Sequence, residues 1–196
     1  MAKASGGTRI VKPTSGSKAF NKGIFENEIT MSDIDSVYSY FSEKSGGYVL
    51  YMKGHSFERS EYEAMKHLAN QGYVFVSTPE GGKYYISKVG RKKEKLYSDG
   101  LLMGFVSEIK TPVPNLITKS TQKSYESALE NSIKKALAHA STKGANVAII
   151  YDKNGIYNRN DIERGFKNYE GKFNHRFKAI LVIDQYGKVW EHIHNE

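Results

Sequence analysis

The sequence contains no cysteine. Disulfide bridges, thiolate-bound zinc and cysteine nucleophiles are therefore excluded, while the redox compartment stays open. No apolar run approaches the roughly 20 residues that span a bilayer. Residues 1–7 also lack the apolar core of a signal peptide. We therefore expect a cytoplasmic protein that does not bind membranes, or one that is delivered as an effector or with a phage particle.

Several motifs of well-known enzymes are missing as well. Residues 81–83 read Gly-Gly-Lys but lack the earlier glycine of a P-loop, and no GxSxG nucleophile elbow occurs. His192 and His194 would share a face of a predicted strand, yet no third zinc ligand is evident. A metal-independent ribonuclease that uses His175 or His139 stays open, because acid–base catalysis needs only a positioned imidazole.

Composition and charge favour a globular protein with an acidic partner. Hydrophobic residues make up 39% and charged residues 26% of the 196 residues, and the formal charge is +8. Nucleic acid is the first candidate partner. Residues 1–45, rich in Gly, Ser, Lys and Thr, are predicted to be a flexible basic arm. Within it, the spacing of Ile34, Val37 and Phe41 indicates one short helix, and residues 46–196 form the domain.

Hydrophobic periodicity in residues 46–196 alternates between strand and helix patterns. A helix is predicted to begin at Ser60 as N-cap, with Glu63 completing a capping box, and to end at Gly72. Residues 73–77 and 83–87 are predicted to pair with each other as strands. The other predicted elements are strands at 48–53, 146–151, 177–183 and 189–192, and helices at 120–141 and 159–166. This order predicts an α/β fold with a mixed central sheet flanked by helices.

Residues 96–110 carry the most informative polar pattern. Asp99 lies in a Ser-Asp-Gly turn, and Glu108-Ile109-Lys110 ends a mostly apolar strand. Alternation along a strand places Glu108 and Lys110 on one face and Ile109 on the other. Charged groups on such a face are costly to bury unless they pair or bind an ion. Two carboxylates beside an ammonium suit Mg²⁺ binding and water activation against a phosphodiester. Glu108 follows Asp99 closely, which leaves little room for a hairpin between them.

Glu61 has two interpretations. It precedes Ala64, Met65 and Leu68 by helical spacing and so shares their buried face, where a carboxylate could look into a cleft. It is equally well placed as a first-turn acid that complements the helix dipole. The sequence leaves both open.

Two groups of basic residues are candidate contacts for a nucleic-acid backbone. The first is a loop directly before the candidate acidic site, where backbone charge would need neutralising. The second lies on the helix at 120–141, outside its apolar stripe. The residues concerned are Arg91, Lys92, Lys93, Lys95, Lys134 and Lys135.

Beyond these physical patterns, the domain resembles a known family. Glu61 heads a helix reading Glu-x-x-Ala-x-x-x-Leu-Ala-x-x-Gly-Tyr, Asp99-Gly comes next, and Glu-Ile-Lys ends a strand before a long helix and a hydrophobic strand. This order is similar to PD-(D/E)xK, restriction-endonuclease-like nuclease domains with an αβββαβ core. The resemblance is greatest to the C-terminal nuclease domains, several acting on tRNA, of contact-dependent growth-inhibition toxins and to related phage and mobile-element proteins.

The resemblance implies a role for each matching residue. Asp99 and Glu108 would hold Mg²⁺ or Mn²⁺, with the carbonyl of Ile109 as a third ligand. Lys110 would orient the attacking water or stabilise developing charge, and Glu61 would complete the acidic cluster. The implied activity is metal-dependent hydrolysis of RNA, tRNA or DNA, in a toxin or mobile-element setting with a cognate immunity protein.

One rival of a different class stays open. The same fold would also serve a catalytically inactive nucleic-acid-binding or phage structural protein. Such a protein would depend on the basic loop and arm and has no need to keep Asp99, Glu108 and Lys110 convergent. The sequence does not indicate the oligomeric state.

Overall fold

The computed structural model describes residues 39–79, 81, 84–86, 94–116 and 121–192. Within these residues lie ten strands and three helices. The strands are β1 (Tyr40–Phe41), β2 (Tyr48–Tyr51), β3 (Val74–Ser77), β4 (Tyr84–Ile86), β5 (Glu94–Leu96), β6 (Gly100–Leu102), β7 (Phe105–Lys110), β8 (Val147–Tyr151), β9 (Ala179–Ile183) and β10 (Val189–His192). The helices are α1 (Arg59–Asn70), α2 (Gln122–Thr142) and α3 (Arg159–Glu170).

Eight of the described strands form one mixed sheet in the order β1-β2-β3-β6-β7-β8-β9-β10. β2, β3, β7, β8 and β9 run in one direction, while β1, β6 and β10 run in the other. The predicted α/β fold with a mixed sheet flanked by helices is confirmed. The predicted helix at residues 60–72 corresponds to α1 and the predicted strand at 73–77 to β3, whereas the predicted strand at 83–87 contains β4, which lies outside the eight-stranded sheet.

The helices cover opposite faces of the sheet. In β8, Val147 and Ile149 pack with the apolar side chains of α1, whereas Ala148 and Ile150 pack with those of α2 and α3. Burial on both faces explains why this strand is a continuous apolar run. No helix in the described residues combines the length and apolarity needed to cross a bilayer.

The strand directions bring several polar residues to one edge of the sheet. The carboxyl ends of β2, β3, β7, β8 and β9 meet there, and β6 begins there. We call it the carboxyl edge. The connection through α1 crosses one face and the connection through α2 crosses the other, which is the topology that opens a crevice at such an edge. Asp99, directly before β6, and Lys110, at the end of β7, both lie there.

Two predicted local structures are wrong. The short helix proposed within residues 1–45 falls mostly outside the described residues, but its last part, Tyr40–Phe41, is a strand that pairs with β2. The predicted pairing of residues 73–77 with 83–87 does not occur. β3 lies between β2 and β6, while β4 pairs with β5 in a separate two-stranded sheet.

Candidate active site at the carboxyl edge

A tight hairpin brings Asp99 and Glu108 together. β6 and β7 are joined through Met103 and Gly104, both with positive φ, at 52° and 84°, as in the two-residue turns that suit hairpins. The register pairs Gly100 with Ser107, and its next step places Asp99 opposite Glu108. The expectation that these acids lie too close in sequence for a hairpin is therefore wrong.

Gly100 fixes how closely β6 approaches β3. A Cβ at this position would lie 2.2 Å from the carbonyl oxygen of Val76 and 2.7 Å from the ring of Phe75. Any larger residue would push β6 away from β3 and move Asp99 with it. The glycine after Asp99 is thus explained by packing, because it is a residue of β6 that lies against β3.

Asp99 and Glu108, which we call the acidic pair, are almost fully buried, with exposures of 3% and 0%. The backbone N–H of Asp99 donates to Glu108 Oε2 at 3.1 Å. The backbone N–H of Ile109 donates to Asp99 Oδ2 at 2.7 Å. Each carboxylate therefore accepts one backbone hydrogen bond from the segment that contains the other acid. These two hydrogen bonds hold the two side chains next to each other.

Lys110 provides the positive charge next to the acidic pair. Its Nζ lies 2.6 Å from Glu108 Oε1, and its side chain is 21% exposed. The predicted common face of Glu108 and Lys110 is confirmed by this contact, and Ile109 packs in the apolar core of the opposite face. Among the described residues, Glu108 Oε1 receives no well-directed hydrogen bond despite its burial.

The pKa values of the site are shifted by burial and by the closeness of several carboxyl groups. Burial raises the pKa of Asp99 to about 8, and the charges of Glu108 and Glu61 add to this, while the Ile109 N–H and Lys110 oppose it. For Lys110, burial alone would lower the pKa, but its ion-pair contact with Glu108 and the nearby carboxylates raise it overall. Without a bound cation, Asp99 is thus mostly protonated at neutral pH.

Glu61 is a first-turn acid of α1, as one of its two interpretations expected. Its Oε2 accepts a hydrogen bond from the backbone N–H of Glu58 at 2.7 Å, so the helix is capped at Glu58 and the predicted cap at Ser60 is wrong. Its charge also reaches the site, because it raises the pKa values of Asp99 and Lys110. Glu63, by contrast, pairs with Arg59 and Lys153, away from the acidic pair.

The donor set is compatible with a magnesium-type ion. No group of three or more His, Cys, Asp or Glu side chains is arranged as a metal cage within the residues that the structure describes. Mg²⁺, however, is usually bound by only one or two carboxylates, with waters and substrate phosphate completing its shell. Two adjacent carboxylates, of which one has an oxygen without a well-directed hydrogen bond, fit that pattern.

A cleft of about 490 Å³ opens beside Lys110, which lines it. One wall is α2, where Asn131, Lys135 and His139 recur at helical spacing on one side. The other wall is the extended segment at residues 111–115. We call this space the α2 cleft. Burial lowers the pKa of His139, and the charge of Lys110 lowers it further, so this histidine lies near the site.

The predicted basic contacts divide into three groups. Lys135 lines the α2 cleft, whereas Lys134, next to it in sequence, does not. Lys95 is exposed on β5. Arg91, Lys92 and Lys93 lie outside the described residues.

The histidines weighed as alternatives lie apart within the described residues. His175 bonds the carbonyl of Ala145 at 3.1 Å, just before the amino end of β8 and so at the opposite edge of the sheet. His192 lies 3.7 Å from Glu170 on the outer strand β10, and His194 is outside the described residues. Of these histidines, His139 is the one that lines the cleft beside the acidic pair.

Sequence reasoning missed the far wall of the cleft. Thr111 lines it, and its Oγ1 is buried without a hydrogen-bond partner in the described part of the chain. The signal available in the sequence was the spacing of Asn131, Lys135 and His139 along α2. No sequence pattern near α2 indicated which segment forms the opposite wall of the cleft.

Comparison with known proteins gives little further information. No protein-family model matches the chain, and no curated protein matches it in sequence. A chain of the CdiA-CT/CdiI toxin and immunity complex from Burkholderia pseudomallei is similar in structure, with a TM-score of 0.40 and 20% sequence identity. The match covers 70% of this chain and 89% of that chain. A likeness this weak carries no argument about activity, so the function has to be inferred from the geometry of the site.

Proposed function

We propose that the protein is a metal-dependent nuclease that hydrolyses phosphodiester bonds of nucleic acid. The observation that carries the proposal is the convergence of two buried carboxylates and a lysine at the carboxyl edge of the sheet. Two carboxyl groups directly opposite each other in a sheet are unfavourable, because they cannot both ionise without repulsion. A fold that needed only stability would not place Asp99 opposite Glu108, so the arrangement favours a role in binding a cation.

Each residue of the site has a role in this proposal. Asp99 and Glu108, with the carbonyl of Ile109, would hold Mg²⁺ or Mn²⁺. When bound, the metal would supply Lewis-acid stabilisation of the charge that develops on the phosphate. Lys110 would hold the attacking water in position or stabilise that charge. Glu61 adds negative charge at the edge of the cluster, which strengthens its attraction for a cation.

The proposed biological setting rests on the sequence resemblance. A toxin or mobile-element nuclease of this kind would act on RNA, tRNA or DNA and be held inactive by a cognate immunity protein. The net charge of +8 is compatible with a nucleic-acid substrate.

A second candidate function is supported by one specific observation. Lys110 forms an ion pair with Glu108, and both members of the acidic pair are shielded from solvent. A catalytically inactive nucleic-acid-binding or phage structural protein could retain this closed pair as a structural contact. Metal-dependent cleavage decides between the two functions.

The test is a nuclease assay of the full chain on tRNA, single-stranded DNA and duplex DNA, with Mg²⁺, Mn²⁺ or EDTA. We expect cleavage that requires metal and falls at least about 100-fold in Lys110→Ala and Glu108→Ala, the scale of losing one transition-state contact. Lys153→Ala is the matched control, because it removes a lysine from the Lys153–Glu63 pair, at 2.9 Å, outside the acidic pair.

Three results would reject the proposal in different ways. Cleavage that persists in EDTA would point to a histidine mechanism. Equal loss in Lys153→Ala would mean that general destabilisation is responsible. Binding of nucleic acid without any cleavage would favour the second candidate function.

A further inference from the structure

We propose that the α2 cleft binds one nucleotide unit of an unpaired nucleic-acid strand, with its phosphate against Lys135 and His139. This inference rests on the proposed nuclease function and adds the substrate class, a single-stranded or locally unpaired polymer. Three features of the cleft support it: the charge of its lining, the rigidity of its walls and the position of Lys110.

The lining of the α2 cleft is suited to an anion. Lys110, Lys135 and His139 line it together with the amides of Asn115 and Asn131, and no carboxylate is among the lining residues. In the described part of the chain, Lys135 makes no ion pair within 4 Å. Phosphate oxygens are the usual partners of such lysine and amide donors on nucleic-acid-binding proteins.

The two walls of the cleft are held at a fixed distance by Tyr157. Its hydroxyl donates to the carbonyl of Pro112 at 3.1 Å and bonds Ser132 Oγ, on α2, at 2.8 Å. Burial raises the pKa of Tyr157 to about 12, so the hydroxyl keeps its proton under ordinary conditions. A site whose walls are already in place avoids part of the ordering cost of binding.

The size of the cleft limits what enters it. Its volume of about 490 Å³ is that of a small-molecule site, for which about 300–1,000 Å³ is usual. Ala128, Ala136 and Pro112 give it apolar surface against which a sugar or base can pack. One nucleotide unit suits this space, whereas a double helix does not enter it.

Lys110 connects the cleft to the acidic pair. It lines the cleft and at the same time lies 2.6 Å from Glu108. A nucleic-acid strand with one phosphate in the cleft would therefore continue past Lys110 toward Asp99 and Glu108. The cleft would position the phosphodiester next to the one it holds for cleavage.

The test is fluorescence anisotropy in EDTA, so that binding is measured without turnover. The probes are fluorescein-labelled oligothymidylate and oligouridylate, with an unlabelled DNA duplex as competitor. Lys135→Gln should weaken binding about tenfold, the size of one charge-assisted hydrogen bond, and reduce the salt slope by about 0.7. Lys123→Gln, the matched control on the same helix, removes the same charge at an exposed position outside the cleft and should change neither.

A second variant tests the space without changing charge. Ala128→Leu places a larger side chain at the wall of the cleft on a helix that accepts leucine well. It should weaken binding of both oligonucleotides and leave the thermal unfolding temperature unchanged. The duplex should compete poorly in every protein.

The outcomes separate this inference from the proposed function. Loss of binding in Lys135→Gln and Ala128→Leu supports the cleft whether or not the wild-type protein cleaves nucleic acid with metal. Equal weakening by Lys123→Gln and Lys135→Gln means that only overall charge matters and overturns the inference. Duplex competition equal to that of single strands also overturns it, as does wild-type binding in Ala128→Leu.

Discussion

Buried carboxylates occur in two kinds of surroundings in this protein. Asp152, directly after β8, and Asp161, in the first turn of α3, are buried but well satisfied. Asp152 accepts from the backbone N–H groups of Ile156 and Tyr157 at 2.9 and 3.1 Å. Asp161 accepts from the N–H of Asn158 and from Arg164. Each of these two acids is explained by a local turn or helix cap.

The acidic pair has different partners. Asp99 faces a second acid, and its pKa is raised to about 8. Glu108 has one oxygen whose near neighbour is the partly exposed Lys110. Asp152 and Asp161 stabilise the fold, whereas the acidic pair costs stability that a bound cation would return. All four acids are buried, so it is their partners that distinguish the two structural acids from the two to which the proposed function assigns a role.

The largest expected effect comes from removing the countercharge. Lys110→Met leaves Glu108 buried without its ion-pair partner, and we expect the free energy of unfolding to fall by about 3 kcal/mol, as when one member of a buried pair is removed. Urea denaturation in EDTA measures this. In the double variant Glu108→Met/Lys110→Met, most of the loss should disappear, because no lone charge remains.

The control for this change is an exposed pair at the same edge. Lys153 lies 2.9 Å from Glu63, with side-chain exposures of 38% and 23%. Lys153→Met should cost less than about 1 kcal/mol, as is typical of solvent-exposed pairs. If Lys110→Met costs no more than Lys153→Met, the Lys110–Glu108 contact is not a buried ion pair in solution.

The next effect concerns a structural acid. Asp152→Ala leaves two backbone N–H groups in the β8–α3 loop without an acceptor, and we expect a loss of about 2 kcal/mol. Asp184 is the matched comparison, because its Oδ1 also accepts two backbone N–H groups, from Tyr186 and Lys188, but in an exposed turn. In an exposed turn, water can accept hydrogen bonds from these N–H groups once the carboxylate is removed. Asp184→Ala should therefore lower the free energy of unfolding clearly less than Asp152→Ala does. Equal losses in urea denaturation would contradict this account of burial.

The part of the site that sequence could predict is local in origin. Alternation along one strand placed Glu108 and Lys110 on the same face, and their 2.6 Å contact confirms it. Helical spacing placed Glu61 on the inner face of α1, where its charge reaches Asp99. Both inferences needed only the geometry of one element, which depends little on the rest of the chain.

The part that could not be predicted depends on partners distant in sequence. Turn signals after residue 77 favoured a hairpin between β3 and the next strand, β4. In the structure β3 pairs with β6, and β4 pairs with β5. The turn between β6 and β7 places Met103 at a positive φ, which methionine rarely adopts and no pattern announces. The α2 cleft needs Tyr157, 25 residues from Ser132, to hold its walls.

The last expected effect is a gain of stability that depends on pH. Asp99 has a pKa of 3.8 when unfolded and about 8 in the folded, metal-free protein. Between these values the unfolded chain releases a proton that the folded chain keeps, so ionisation favours unfolding. The stabilisation is complete below 3.8 and is lost as the pH rises through about 8.

Asp99→Asn removes this titration. In EDTA its free energy of unfolding should vary less with pH than that of the wild type between pH 4 and pH 8. At the upper end of this range the variant should be the more stable protein, because it has no buried carboxyl group that must ionise. Asp161→Asn should instead lower the free energy of unfolding, because the Asp161 carboxylate accepts a hydrogen bond from Arg164. A loss of stability in Asp99→Asn equal to that in Asp161→Asn would place Asp99 among the structural acids. In that case the acidic pair would not destabilise the metal-free protein, and a bound metal ion would have no destabilisation to relieve.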